Sequence, residues 1–301
     1  MNDKQVVIKV ENFSKSFGRQ KAVDKLSFEV KNGEIFGFLG RNGAGKTTTI
    51  RSLLNIMEPD EGQLEVLGSR FHDGLMQRIG YLPEERGLYT RATVMDTVMY
   101  LGRLRGLSRQ EVRNRAKILL ERFQLTEHQS KKIQNLSSGM QQKVQIIQAI
   151  LHRPELLILD EPFRGLDPIN RQLVFDTLDE LKNEGITILF SSHQIQEIED
   201  ICDRVIMISN GTSKAYGSVS EIKSQFEPRY IHLNYEGELP ELNYVEHLRD
   251  HGNQAEIRFE KGVNPNQILE QILTANIQVE LFQVARPSLH EIFLELCVEV
   301  A

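Results

Sequence analysis

Cysteine is scarce in this 301-residue chain: Cys202 and Cys297 stand far apart, with no Cys-x-x-Cys pair between them. That spacing excludes a disulfide framework or a zinc knuckle and fits a reducing compartment. Long apolar runs are missing too. No stretch of about 18 apolar residues occurs, and the opening MNDKQVVIKVENFSKSF has no secretory apolar core. The expectation is a chain that neither spans a bilayer nor carries a signal peptide. Positive charge is not in excess: 36 Lys and Arg against 42 Asp and Glu leave a net charge of -6, so nucleic acid is not an expected partner. With only 9 prolines, 40% hydrophobic and 26% charged residues, the composition excludes collagen-like and disordered chains. At roughly 100 to 200 residues per domain, the length suggests two domains or one large one.

Short apolar runs followed by turn signals stand at 35–39 (IFGFL), 156–159 (LLIL), 186–190 (ITILF) and 205–208 (VIMI). They suit strands buried on both faces of a parallel sheet. VVIKV at 6–10 and LSFEV at 26–30 alternate instead, as half-buried antiparallel strands do. The expected core is α/β with an antiparallel flank. A helical block of about residues 85–135 is inserted in it, where Val112, Ala116, Leu119, Leu120 and Phe123 recur at helical spacing. Polar residues and Pro228 interrupt the apolar runs near 217–229, so the boundary is set between a domain of residues 1–224 and an α+β accessory domain of residues 225–301. The latter closes on an amphipathic helix, with Leu289, Ile292, Phe293 and Leu296 on one stripe after a capping Ser288.

GRNGAGKT, residues 40–47, matches the phosphate-loop pattern and lies between a strand and a helical run. Gly40, Asn42, Gly43, Ala44 and Gly45 can turn backbone N–H groups onto phosphate oxygens. Lys46 reaches the β and γ phosphates, Thr47 can ligate Mg²⁺, and Thr48 continues the helix N-terminus. The pattern by itself selects only a nucleoside triphosphate. In ELLILDEP, a buried strand presents Asp160 at its carboxyl end, placed for the Mg²⁺ shell, and Glu161 can orient or deprotonate a water. Ser137, Ser138 and Gly139 in LSSGMQQK open a helix and suit an anion, although an ordinary N-cap has the same look.

The phosphate loop, LSSGM, LLILDEP, GLD (165–167) and a lone His193 in FSSHQ follow one another in an order and spacing that resemble ABC-type ATPases across about residues 6–220. The resemblance implies an ABC transporter nucleotide-binding subunit that hydrolyses ATP with Mg²⁺. It further implies that Phe17 stacks on adenine, Glu161 is the general base, His193 contacts the γ phosphate and Asp167 lies in the loop crossing a dimer interface. In that family LSSGM binds the ATP held by the opposite subunit, so one copy of each motif implies a homodimer. A separately encoded transmembrane permease would dock on the helical block, leaving the chain cytoplasmic and peripheral to the inner membrane face.

Several positions depart from the family pattern. Glu84 follows IGYLP where Gln is usual, with Glu85 and Arg86 behind it; Met140 replaces the signature Gln, and Phe163 and Arg164 replace small residues. A carboxylate at 84 can still ligate Mg²⁺, and Arg86 is expected to offset its charge. These changes resemble a bacterial exporter group that includes sodium-efflux and drug-efflux subunits. The rival readings are a soluble ABC ATPase acting on DNA or ribosomes, which the lack of long coiled coils disfavours, and a low-turnover regulator, which Glu161 and His193 disfavour.

Overall fold

The chain opens on two twelve-residue strands, β1 (Val6–Phe17) and β2 (Gln20–Lys31), paired antiparallel through a tight turn at Gly18. The computed structural model describes residues 5–85, 87–275 and 277–297, which leaves Arg86 outside the described residues. Five fully buried residues form β3 (Ile35–Leu39), and the phosphate loop turns it into α1 (Lys46–Leu53). Next come β4 (Glu61–Val66), which pairs with β1, and β5 (Ile79–Leu82). The helical block follows as α2 (Val94–Leu104) and α3 (Arg109–Arg122), each started by a side-chain cap, Thr93 and Ser108. Ser108 and Glu111 form a reciprocal capping box, and Val112, Ala116 and Leu120 make the buried stripe of α3, with Leu119 only half-buried.

The long α4 (Ser138–Ile150) returns the chain to the core at β6 (Leu156–Asp160), and α5 (Pro168–Asn183) leads to β7 (Thr187–Ser192). α6 (Ile195–Ile201), β8 (Arg204–Ser209) and β9 (Thr212–Ser218) complete the sheet. Its order is β5-β6-β7-β3-β8-β9, parallel except for the last pair, and β2-β1-β4 form a separate antiparallel sheet. Runs such as Leu156–Asp160 are buried at every position because both faces of the sheet are covered, one by α1 and the antiparallel sheet, where Phe28 packs on Phe36 and Phe38, and the other by helices such as α6 behind Gly37, which is why they show no alternation.

The chain divides into two compact units, one ending at Ser218 and the other starting at Val219. The polar stretch in the sequence points to 224/225, six residues later. The residues between form α7 (Val219–Ser224), which contacts the last helix and so goes with the second unit. That unit contains β10 (Tyr230–Glu236), β11 (Val245–Asp250), β12 (Gln254–Phe259), α8 (Pro265–Thr274), β13 (Gln278–Ala285) and α9 (Leu289–Cys297). Its antiparallel sheet has the order β11-β12-β10-β13, and Ile231, Leu233, Ile257 and Phe259 pack with Ile268 and Ile272 of α8. β11, with sequence VEHLRD, leaves no mark in the sequence pattern: it is an edge strand with no buried residue, so it carries no apolar alternation to read. Ser288 caps α9 in a box with Glu291.

Edge strand β5 is held by His152, which follows α4. Its Nε2 lies 3.1 Å from the Ile79 carbonyl, an acceptor only, so the neutral ring donates through Nε2. Burial, reinforced by the charge of Arg105, lowers this histidine to about 4 from its usual 6.5. The unfolded chain therefore takes up the proton first. The stabilisation is whole above pH 6.5 and is lost as the pH falls towards 4, about 3 kcal/mol in all. Urea unfolding at pH 7 and pH 4.5 should show this loss, and His152→Gln, which keeps a donor for Ile79 but does not titrate, should flatten it. An unchanged pH slope in that variant would remove His152 as the cause.

Candidate functional site

The parallel register places the ends of three strands side by side. Leu39 is level with Ser192, and Asp160 with Ser191, so the residues after β3, β6 and β7 all emerge at one edge of the sheet. A cavity of about 220 Å³ opens there, lined by Arg41–Thr48, Glu84 and Glu161. Glycine is required at 45: its φ is +106°, and a Cβ would stand 2.8 Å from the Ala22 carbonyl of β2. The loop thereby closes against the β1–β2 hairpin. Lys46 is buried, and its ammonium donates to the Gly40 carbonyl at 2.7 Å, within the loop itself.

Asp160 and Glu161 are both buried, and one side chain organises them. The Ser191 hydroxyl donates to Asp160 Oδ1 and accepts from the Glu161 backbone N–H at 3.1 Å. Burial pushes the Asp160 carboxyl up; the Ser191 and Thr47 hydroxyls pull it back, and the charges of Glu84 and Glu161 add to the rise. Glu161 has φ +53°, the left-handed region that a residue with a Cβ seldom adopts outside constrained sites. That turn aims its carboxylate between His193 and Lys46. Oε2 lies 2.8 Å from His193 Nδ1, and Oε1 lies 3.5 Å from Lys46 Nζ. Sequence reasoning missed Ser191, since a serine ending a buried strand has no distinguishing local signal.

Glu84 Oε2 faces the Thr47 hydroxyl at 3.4 Å, while Oε1 lies 3.5 Å from the Arg164 guanidinium. Two departures from the family pattern thus face each other, with Arg164 beside the Glu84 carboxylate; the expectation for Arg86 lies outside the described residues. The residues suit Mg²⁺: Asp160 Oδ2 is buried with no hydrogen-bond donor, the Thr47 hydroxyl is adjacent, and three carboxylates converge. Among the described residues no cluster of His, Cys, Asp and Glu could hold a metal alone, so the ion would share its ligands with phosphate oxygens.

The remaining expected residues do not line the cavity. Ser137 caps α4 by accepting from the Met140 N–H at 3.3 Å, Ser138 begins the helix, and Gly139 passes so close to Gly165 that a Cβ would be 3.1 Å from its carbonyl. Asp167 caps α5, accepting from the Asn170 N–H at 2.9 Å. Phe17 ends β1 as an exposed ring beside the hairpin turn.

The family described as ABC transporter matches residues 23–164, and the C-terminal domain described as ATP-binding protein DrrA1-3-like matches residues 217–297. An uncharacterized ABC transporter ATP-binding protein of Bacillus subtilis, YhaQ, is 38% identical over 296 residues, covering 96% of this chain and 98% of that relative. The linearmycin resistance ATP-binding protein LnrL of the same organism is 33% identical over 306 residues, with 96% and 98% covered. A solved ATP binding subunit of an ABC transporter superposes with a TM-score of 0.69 at 35% identity, over 73% of this chain and 92% of that one. Similarity to the curated relatives runs through both units rather than stopping at the phosphate-binding core, and the chain accordingly belongs to the ATP-binding proteins of ABC transporters, the ATPase subunits that power transport.

Proposed function

We propose that two copies of the chain close over two MgATP and drive export through a separately encoded membrane permease. The observation that carries this reading is the division of the nucleotide machinery. The phosphate loop, Asp160, Glu161 and His193 gather at one edge of the sheet, whereas Ser137–Gly139 open α4 outside the cavity at that edge. Those N–H groups and hydroxyls at the start of a thirteen-residue helix suit the phosphates of a nucleotide held by a second copy. Asp167, at the exposed start of α5, would face the dimer contact. Export is supported by the relative named for linearmycin resistance.

The loop N–H groups and Lys46 would bind the β and γ phosphates, and Phe17 would stack on adenine. Mg²⁺, held by Thr47 and Asp160 with Glu84 beside them, would neutralise charge building on the phosphates. Glu161 accepts the proton of the attacking water. His193, hydrogen-bonded to Glu161, keeps that carboxylate turned into the site and can reach the γ phosphate. No helix among the described residues is long and apolar enough to cross a membrane, so contact with the bilayer would pass through the permease, docked on the helical block.

Glu161→Gln should still bind MgATP and form a persistent ATP-dependent dimer on gel filtration, with hydrolysis reduced by about 10² to 10⁴. Near-normal turnover in this variant would remove Glu161 as the base. A pair of variants at Glu84 tests the unusual carboxylate. Glu84→Gln should keep most ATPase activity and its magnesium dependence, because an amide oxygen can also ligate a hard cation. Glu84→Ala should need several times more Mg²⁺ for half-maximal activity, and wild-type magnesium dependence there would return Glu84 to a purely surface role.

A further inference from the structure

Behind His193 lies a further buried carboxyl group that the reaction as described does not use. Glu197, on α6, is 2% exposed. Its Oε2 accepts from the Ser192 hydroxyl at 2.5 Å, and Ser192 immediately precedes His193. Its Oε1 has no hydrogen-bond partner among the described residues. Arg171 on α5 points at that oxygen, with Nε 3.8 Å away and likewise without a hydrogen-bond partner, while its Nη1 donates to Gln194 Oε1 at 3.5 Å. Hydrogen bonds between a guanidinium and a carboxylate settle near 2.7–2.9 Å, so the pair stands about 1 Å short of contact. A buried carboxylate oxygen and a guanidinium N–H left without partners are costly, so there is a drive to close that gap.

The residue before Arg171 faces the other way. Asn170 Oδ1 accepts from the buried Lys143 ammonium of α4 at 3.0 Å, and its amide donates to Asp167 at 2.6 Å. The start of α5 is therefore tied on one side to the helix opened by Ser138 and Gly139, and on the other side reaches for the loop that carries His193.

We propose that Arg171 and Glu197 are positioning residues for ATP hydrolysis, and that their ion pair tightens when the start of α5 is pressed inward by a second copy, setting the His193 loop for turnover. This rests on the reading that two chains close over ATP. The pair would transmit closure because consecutive residues, Asn170 and Arg171, engage α4 and α6 from one turn of one helix. An advance of about 1 Å makes the difference between a loose and a formed charge-assisted bond.

The test is steady-state MgATP hydrolysis by the full chain carrying Arg171→Gln, Glu197→Gln or both. Each single variant should lower kcat about tenfold with KM changed less than about twofold, and the double variant should fall no further, as expected for one shared interaction. Arg171→Lys, which keeps the charge, should recover part of the loss. Urea unfolding of the same set separates a structural pair, for which stability would drop while kcat of the folded protein stayed unchanged. If Glu197→Gln does not fold, Arg171→Gln and Arg171→Lys carry the test, since the Arg171 side chain is one-third exposed. Multiplying losses in the double variant, a change confined to KM, or unaltered kcat would overturn the proposal. Absence of an ATP-dependent dimer in the unmodified chain would overturn the closure reading instead.

Discussion

The parallel register of β3, β6 and β7 is the constraint on which the rest depends. It sets Leu39 level with Ser192, 153 residues away, and Asp160 level with Ser191, 31 residues away, so segments distant in the chain deliver their functional groups to one edge. Slipping any of these strands by one residue would turn every side chain to the opposite face. The fully buried composition of the strands forbids that slip only in part, since both faces are apolar. The hydrogen bonds at the strand ends complete the specification: Ser191 ties Asp160 and Glu161 to β7, and the Gly45 turn seats the loop against Ala22.

Carboxylates are concentrated at that edge, and the cationic side chains beside them answer them only in part. Asp160, Glu161 and Glu84 converge, and the first two are buried. Lys46, His193 and Arg164 each answer one carboxylate, but Asp160 Oδ2 stays without a donor. Burying such groups is expensive unless they are paired or hydrogen-bonded, and a cost left uncompensated in a cavity points to binding or chemistry. The left-handed backbone at Glu161 belongs to the same design, since it is the turn that brings this carboxylate round to face Lys46 and His193.

The second unit obeys simpler rules. Its core comes from alternating strands and one amphipathic helix, so its buried residues lie where the period-two pattern puts them. The unit has its own core and matches its own family from residue 217, close to the point where the structure divides the chain.

The amino-acid order alone determined the phosphate loop, the acidic pair after a buried strand, the capped signature helix, and the α/β core with its antiparallel flank. Those features are local: glycine at tight turns, side-chain caps and burial periodicity act over a few residues and leave a trace in the string. Tertiary structure alone decided the role of Ser191, the meeting of Glu84 with Arg164, the approach of Arg171 to Glu197, the edge strand β11 and the company kept by α7. Glu84 and Arg164 each look like an ordinary surface charge in sequence. They become partners only because β5 and β6 lie side by side, which long-range packing sets and no local pattern encodes.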